Sequence, residues 1–415
     1  MSVVLKKALS QKILFFFSLW MATLSPSSHS ETEFTYSVGG LTEDYLGRSE
    51  EFGQTEFNGL TVGVDGSYKR LDYKLSLAAQ VEEERDVVPE FGLSLRFGND
   101  TWEVGVSKEE RHWSPSRYTS LILSRNAEYI PAVFLRKSEA TRFNSKYLRW
   151  IGKFKGEFFI GQTNDSFNGG DSLFVGNQVV IQPWEALEIE LVRTIQLGGD
   201  GQDTGGDVIF DALIGQTNEG TAAEVNQVAG AGLSYTFFRK SNPIRLYGQI
   251  VGEDEAGLLP SCTFDIIGIE GKRLLFGGPV TATVERVDTT TSLSEGGFCG
   301  PNAAFNNAVY DYTNSGRVLG AAIDTASDSL TLRVEHEFSN WSLRWNVGEN
   351  DINQTSDPNH RLSSTNVDGI LASIGVGFKL FKGEVNTQLT YQEFDLDNAQ
   401  LPDGFNFGVN YSNKF

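Results

Sequence analysis

The sequence predicts an all-β protein, an antiparallel transmembrane β-barrel that occupies the chain from the end of an export leader to the last residue. Three observations support this fold class: an export signal without a membrane-spanning helix, a composition low in apolar but high in aromatic residues, and strands joined alternately by short and long connections. The 415 residues are therefore divided into a signal peptide, residues 1–30, and a barrel, residues 31–415.

The first thirty residues have the three parts of a secretory signal peptide. Lysines give a positive start, residues 13–24 (ILFFFSLWMATL) are almost entirely apolar, and Ser28 and Ser30 are the small residues before a cleavage site at Glu31. The apolar run is too short to span a bilayer, and no later stretch approaches about twenty apolar residues. A helical membrane protein is excluded, which leaves a periplasmic, secreted or outer-membrane β protein.

Composition favours the outer-membrane alternative. Hydrophobic residues make up only 40% of the chain, yet aromatic residues reach 12%. A transmembrane barrel needs apolar side chains only on the alternate positions that face lipid, and its interfacial girdles enrich Phe, Tyr and Trp. Three of the 34 basic residues and none of the 54 acidic ones lie in the leader, so the mature chain has a formal charge of −23. This acidic balance argues against a nucleic-acid partner and against adhesion to anionic membranes.

The C-terminal stretch, residues 405–415, alternates between apolar and polar side chains, as a strand with two different faces does. The apolar parity contains Phe405, Phe407, Val409, Tyr411 and Phe415, with Asn413 as its single break. The stretch resembles the closing strand of bacterial outer-membrane barrels, in which a terminal Phe marks the end of the barrel. This resemblance assigns Tyr411 and Phe415 to barrel closure and membrane targeting.

The mature chain is predicted to form hairpins throughout, with about twenty candidate strands. Short connections are predicted at 98–100, 183–186, 339–340 and 380–383, and long ones at 196–227, 252–263, 288–305 and 350–367. Such alternation is typical of barrels with short periplasmic turns and long outer loops. With a periplasmic C-terminus, every long loop lies outside if strands are placed at both 304–312 and 317–323.

The two cysteines, Cys262 and Cys299, fall in neighbouring loops that this alternation places on the same outer side. In an oxidising export route such a pair predicts a disulfide, with two unpaired thiols as the alternative. The bond would close a loop of 38 residues, both cysteines included. In the chain-entropy model, that closure stabilises the loops by roughly 3–4 kcal/mol.

Several stretches are similar to one protein family. They are residues 112–131 (HWSPSRYTSLILSRNAEYIP), 150–152, 158–162, 182–199, 247–261 and 316–324, and the runs SLILSRNA and GEDEAG are the most specific. Over residues 91–415 the chain resembles the Wzi family of capsule assembly proteins. The resemblance implies an outer-membrane barrel that acts as a lectin-like anchor for capsular polysaccharide.

The same resemblance implies about 18 strands, and we predict a count between about 16 and 20. The best-known family members carry a helical segment before the barrel that plugs its periplasmic side. Here residues 31–90 are predicted as strands, so no clear N-terminal helical plug is expected.

One candidate sugar-binding motif combines His112, Trp113, Arg117 and Tyr118, with Arg125 further along the same stretch. A flat ring, a guanidinium fork and a phenol suit stacking on a pyranose and holding an anionic sugar. The alternative is an aromatic interface girdle together with a loop that folds inward.

A second candidate is the acidic run of Glu253, Asp254 and Glu255 at the end of a strand. Carboxylates accept hydrogen bonds from sugar hydroxyls, and they could hold a divalent cation that bridges an acidic polymer. The alternative is a lumenal charge ladder paired with arginines. The Gly/Asp-rich stretch 198–207 lacks the spacing of known calcium loops and is predicted to be flexible. No other cofactor or metal is expected.

We therefore expect a monomeric outer-membrane protein of a Gram-negative bacterium, whose outer loops bind an acidic capsular or other surface polysaccharide. Its further partners would be outer-membrane lipid and the barrel assembly machinery. A passive porin and a purely structural barrel are the alternatives. An enzyme is not expected, because the mature chain has only His112, His336 and His360, in unrelated segments, and no Gly-x-Ser-x-Gly elbow.

Overall fold

The computed structural model describes residues 30–415 except for 54–58, 80–86, 165–170, 200–224, 257–258, 292–298 and 308. The predicted leader lies outside these residues. Within them, eighteen strands form one closed antiparallel sheet, in which each wall strand pairs with the next along the chain and the first pairs with the last. The predicted fold class and strand count are confirmed.

The first part of the wall contains β1 (Ser30–Leu41), β2 (Gly59–Tyr68), β3 (Leu71–Ala79), β4 (Val87–Phe97), β5 (Trp102–Lys108), β6 (Pro131–Arg142), β7 (Lys153–Gln162), β8 (Leu173–Trp184), β9 (Leu187–Leu197), β10 (Asn226–Phe237), β11 (Ile244–Ala256), β12 (Leu259–Leu275) and β13 (Gly278–Asp288). The two-residue strands β14 (Thr313–Asn314) and β15 (Arg317–Val318) form a separate hairpin. The wall continues with β16 (Asp328–Glu337), β17 (Trp341–Ile352), β18 (Val367–Leu380), β19 (Gly383–Gln392) and β20 (Gly404–Lys414).

Helical structure is brief. Helix α1 (Arg48–Phe52) lies between β1 and β2, and a single 3-10 turn (Arg149–Ile151) precedes β7. Both ends of α1 are glycines with positive φ, Gly47 and Gly53, which let the chain enter and leave the helix in tight turns. No helix in the described ranges has the length and the apolar character needed to span a membrane.

The seam between β1 and β20 closes the barrel. Phe34 and Phe415 exchange two backbone hydrogen bonds of 2.8 and 2.9 Å, and their rings stack with centroids 6.1 Å apart. Next to them, the Tyr411 ring lies 5.9 Å from the Tyr36 ring. Tyr411 lies in β20, and Phe415 pairs with Phe34 directly after the end of that strand. The predicted role of the two residues in membrane targeting stays a prediction.

The outward face of the wall is apolar. Apolar side chains at alternate strand positions point away from the lumen; Ile267, for example, has 62% of its surface exposed. Water would solvate this outward apolar surface poorly. At the end of the barrel that carries the short turns, aromatic residues are exposed, including Phe238, Phe276 and Phe381. An apolar band with an aromatic girdle is the surface that a lipid bilayer requires.

The other end of the outward face is marked by a row of acidic residues. Five aspartates lie directly opposite one another across consecutive wall strands: Asp265, Asp288, Asp328, Asp351 and Asp368. Arg286, on the same face, forms ion pairs of 2.6 Å with Asp288 and 3.5 Å with Asp328. Because ionised carboxylates do not enter hydrocarbon, this row places the upper limit of the lipid-facing band.

Short turns and long connections alternate as predicted, and the long ones share one end of the barrel. Two predicted strands were wrong, because 304–312 and 317–323 both belong to the long connection 289–327. Their apolar residues pack inside the lumen instead of facing lipid. The predicted loop 252–263 was also wrong, since β11 and β12 pair as far as Ala256 and Leu259. The sequence analysis predicted no strand where the structure has β6, which is one of the eighteen wall strands.

The lipid-facing assignment can be tested at Val284, which points outward near the middle of β13 and is 41% exposed. We expect Val284→Arg to reduce the free energy of unfolding in phospholipid bilayers by roughly 2–4 kcal/mol, because a charged group must enter hydrocarbon. The measurement is a guanidinium titration, with Val284→Ile as the matched control. Equal stability of the Arg and Ile variants would contradict an outward, lipid-exposed position.

Candidate functional site

Three segments turn inward and occupy the lumen: residues 42–53 with α1, the connection 109–130 after β5, and the described parts of the connection after β13, residues 289–291, 299–307 and 309–327. Their apolar residues form one buried cluster, to which Trp113, Leu121, Ile122, Phe305, Tyr312 and Ala321 belong. In a barrel of this size, such filling replaces the water that an open lumen would hold.

Hydrogen bonds join the second and third segments to each other. The Ser124 backbone N–H donates to the Leu319 carbonyl at 2.8 Å, and the Tyr312 hydroxyl donates to the Ile122 carbonyl at 2.9 Å. The Asn126 amide donates to the Val318 carbonyl at 3.0 Å. These contacts supply the partners that buried backbone groups of a non-regular segment need.

Polar side chains of the inward wall face complete this network. Gln249 on β11 accepts from the Leu121 N–H at 3.1 Å and donates to the Trp113 carbonyl at 2.8 Å. Arg111 is buried and donates to Glu157 on β7 at 2.9 Å. A buried cation of this kind is stable only with a paired anion, so the pair fixes the start of the connection against the wall.

The N-terminal segment enters the same network. The Leu46 N–H donates to Gln392 on β19 at 3.0 Å, and the Ala322 N–H donates to Glu50 at 3.4 Å. Residues 31–90 were predicted as strands throughout, and this is wrong for 42–53, which leave the wall and fold inward. The helix in this segment, α1, follows β1 and has only five residues.

The structure encloses the aromatic part of the first predicted motif. Trp113 is 2% exposed and packs edge-to-face on Phe159, with ring centroids 5.4 Å apart. The His112 ring is within 2.9 Å of the Ser116 carbonyl. Both faces of the indole are thus covered by protein, and stacking of Trp113 on a sugar does not fit this position. The alternative of an inward-folded loop describes it.

The charged part of that motif lies deep in the lumen. Arg117 donates to Glu270 at 2.8 Å, and Arg245 donates to the Pro115 carbonyl, both wall partners being near the short-turn ends of their strands. The Tyr118 ring lies 4.6 Å below the Arg333 guanidinium. Arg117 and Tyr118 therefore sit towards the periplasmic side, away from any polymer outside the cell.

Arg125 links two of the inward segments. Its guanidinium donates to the Arg117 carbonyl at 2.5 Å and to the Glu51 carbonyl at 3.4 Å. These contacts hold the connection 109–130 against α1, so the structure gives Arg125 a bracing position.

The second predicted site is resolved in part. Glu253 is buried and accepts from the Phe305 N–H at 3.1 Å, which favours a lumenal role. Asp254 and Glu255 belong to β11, opposite Ser261 and Pro260, and their side chains lie outside the described part of the chain. Of the Gly/Asp-rich stretch 198–207, only Gly198 and Gly199 lie within the described part of the chain. Among the described residues, no three His, Cys, Asp or Glu side chains lie close enough together to hold a metal ion.

The predicted disulfide is confirmed. Cys262 and Cys299 are bonded, with their Cα atoms 5.3 Å apart. Cys262 lies in strand β12, where a loop was predicted, so the bond ties the long connection 289–327 directly to the wall.

A cavity of about 300 Å³ lies where the inward segments meet the loops at the long-connection end. It is lined by residues 44–47, 315–318, 361–362 and 398–399, with Asn126, Ala322, Asp324 and Leu401. Sequence reasoning missed this cavity because its residues come from five different connections and share no motif. Arg317 and the GRVLGAAID stretch were noted in the sequence, but only the fold brings them beside Asp44 and Asn398.

The two arginines that line the cavity differ in exposure, because Arg361 is largely enclosed with its partner and Arg317 is not. Arg361 donates two hydrogen bonds to Asp324, at 2.7 and 2.5 Å, and a third to Asn306 at 2.9 Å. Burial alone would raise the pKa of Asp324, but the Arg361 guanidinium holds that pKa below its ordinary value. Arg317 donates to Asp44 at 3.0 Å and to Ser49 at 2.9 Å, and 44% of its side chain remains exposed. The Arg317 guanidinium is therefore the most exposed of the four charged groups that line the cavity.

The apolar exterior, the aromatic turns and the loop-filled lumen define an outer-membrane β-barrel. Residues 68–405 match the model of a family described as capsule assembly protein Wzi. The chain belongs to this Wzi family.

A curated relative is an uncharacterized 55.8 kDa protein in the cps region of Klebsiella pneumoniae, which is 28% identical over 267 residues. The match covers 62% of this chain and 53% of that protein, so the chain spans about half the length of the relative.

Solved structures share the fold. Wzi of Escherichia coli, described as an outer membrane protein involved in group 1 capsule assembly and a carbohydrate-binding β-barrel, superposes with a TM-score of 0.78 at 20% identity, over 91% of this chain and 83% of that one. OccAB3 of Acinetobacter baumannii gives 0.53 at 10% identity, over 94% of this chain and all of the other. OprD of Pseudomonas aeruginosa gives 0.53 at 8%, over 93% and 95%.

The Arg361–Asp324 pair makes the loop assembly testable. We expect Arg361→Leu to lower the free energy of unfolding at pH 7 by about 3–5 kcal/mol, because Asp324 is left buried without its cation. Guanidinium titration in detergent micelles measures this, and the double variant Arg361→Leu with Asp324→Asn should recover part of the loss.

The same pair predicts a pH dependence. Because the folded pKa of Asp324 is depressed, its contribution is complete above the unfolded pKa of about 3.9 and disappears as the pH falls through the lower folded value. The difference between wild type and Arg361→Leu should therefore shrink as the pH is lowered below about 3.9. An unchanged difference would contradict a stabilising charge pair.

Proposed function

We propose that this protein binds an acidic surface polysaccharide at the outer end of its barrel and anchors it to the cell, aiding capsule assembly. The observation that carries the proposal is the filling of the lumen by three hydrogen-bonded segments, which leaves the outer end as a binding surface. Membership of a capsule assembly family and the carbohydrate binding of the E. coli relative support it.

The main alternative is a passive porin. The fold alone does not decide between the two, because barrels of the same architecture can be open or filled. The packing of Trp113, Phe305 and Tyr312 across the lumen favours an anchor. A channel would instead need a continuous polar path through this buried cluster.

The anchor acts by non-covalent binding, and the family description names capsule assembly, with no reaction. Its partners in this proposal are capsular or exopolysaccharide, outer-membrane lipid along the apolar band, and the barrel assembly machinery, which would recognise the closing strand with Tyr411 and Phe415. In this proposal the barrel acts as a monomer, because β1 and β20 of one chain close the sheet without a strand from a second copy.

Deletion of the gene in its encapsulated host tests the proposal. We expect the polysaccharide to be produced in normal amount but shed into the medium, because synthesis does not depend on the anchor. Uronic-acid assays of cells and medium measure the two fractions, and a plasmid copy of the gene should restore retention. If the mutant keeps its capsule attached, the proposed function is wrong.

A further inference from the structure

We infer that the 300 Å³ cavity is a binding site for a single carboxylated pyranose, a hexuronic acid residue of the polymer, with Arg317 as the partner of its carboxylate. The inference rests on the proposed function and adds to it a site and a sugar class. Neither follows from the family description or from the relatives.

The cavity opens at the end of the barrel that faces the polymer. All the residues that line it belong to long connections between wall strands. The long connections lie at the end of the barrel opposite the aromatic turns. Gly316, Arg317 and Asn398 are exposed at its mouth. A polymer outside the cell can therefore reach the cavity without crossing the filled lumen.

The lining has the two kinds of surface that a pyranose presents. Leu46, Leu362 and Leu401 supply apolar contacts for the C–H face of a ring, while Asp44 and Asn398 supply polar groups for its hydroxyls. Sugar sites of proteins commonly combine such surfaces, because the hydroxyls specify orientation and the apolar face is removed from water.

The charge that the cavity offers is cationic. Asp44 is 14% exposed, and its two oxygens accept from Arg48 at 2.6 Å and from Arg317 at 3.0 Å. Asp324 is 2% exposed and paired with Arg361. The carboxylates are thus directed into protein contacts, whereas the Arg317 guanidinium remains accessible.

Arg317 also keeps donors for a ligand. Its hydrogen bonds to Asp44 and Ser49 involve both Nη atoms, yet a guanidinium has five N–H donors and can hold a carboxylate in a forked geometry. On a chain whose mature charge is strongly negative, this exposed cation provides a local attraction for an acidic sugar.

Binding of two monosaccharides to the purified full-length protein in detergent tests the inference. Sodium D-glucuronate and D-glucose are titrated and followed by saturation-transfer NMR. We expect glucuronate to bind at least about tenfold more tightly than glucose, a ratio that one charge-assisted contact can supply.

Three variants assign the site. Arg317→Gln should lose most of the preference for glucuronate but keep weak binding of both sugars, because it removes the charge and keeps an amide donor. Ala399→Trp should abolish binding of both by filling the cavity. Arg239→Ala removes an exposed arginine from the opposite end of the barrel and should change nothing. Resistance of the folded barrel to unfolding in sodium dodecyl sulfate at room temperature verifies that each variant is folded.

The inference is overturned if wild type does not prefer glucuronate, or if Arg317→Gln and Ala399→Trp bind it as wild type does. Capsule retention by the same variants separates the two proposals. If gene deletion sheds the capsule while cells with Ala399→Trp retain it, the anchor function stands and the cavity is not its site. If deletion sheds nothing, the anchor function itself fails.

Discussion

A backbone inside a membrane has no water to bind, so every N–H and C=O group of the wall must find its partner within the sheet. The pairing of β1 with β20 meets this requirement, and the backbone hydrogen bonds between Phe34 and Phe415 complete it at the last residue. Once the sheet is closed, each strand has one face for lipid and one for the lumen. The residues at the outward-facing positions of each strand then form the apolar band and the aspartate row, and the short turns carry the aromatic residues.

Closure creates a second requirement, because the lumen must be filled or flooded. Here it is filled from the outer end by residues 42–53, by residues 109–130 and by the described residues of the connection 289–327. The short α1 takes a place in the lumen, although it follows the first wall strand and is not a plug ahead of the barrel. Where these segments meet the outer loops, imperfect packing leaves the cavity beside Arg317. The candidate binding site is thus a consequence of how the lumen is closed.

The sequence alone predicted the fold class, the closing strand, the disulfide and the alternation of connections, because each depends on a local pattern or on parity along a strand. It did not predict that apolar runs such as 317–323 fold into the lumen, since residues that face lipid and residues that pack inside a barrel have the same hydropathy. For the same reason the sequence left two interpretations of Trp113 open, a sugar-stacking ring or part of an inward-folded loop, and in the structure Trp113 is buried. The cavity depends on five connections that only the complete barrel brings together, so no local signal could reveal it.

The central claim, that the inward segments close the lumen and make the barrel an anchor, is tested most directly by electrical recording. Purified wild-type protein inserted into planar lipid bilayers should give no stable conductance, whereas a variant in which residues 44–51, 113–127 and 304–322 are all replaced by flexible Gly/Ser linkers should give measurable current. Stable ion-conducting steps from the intact wild type would contradict the account and favour a channel.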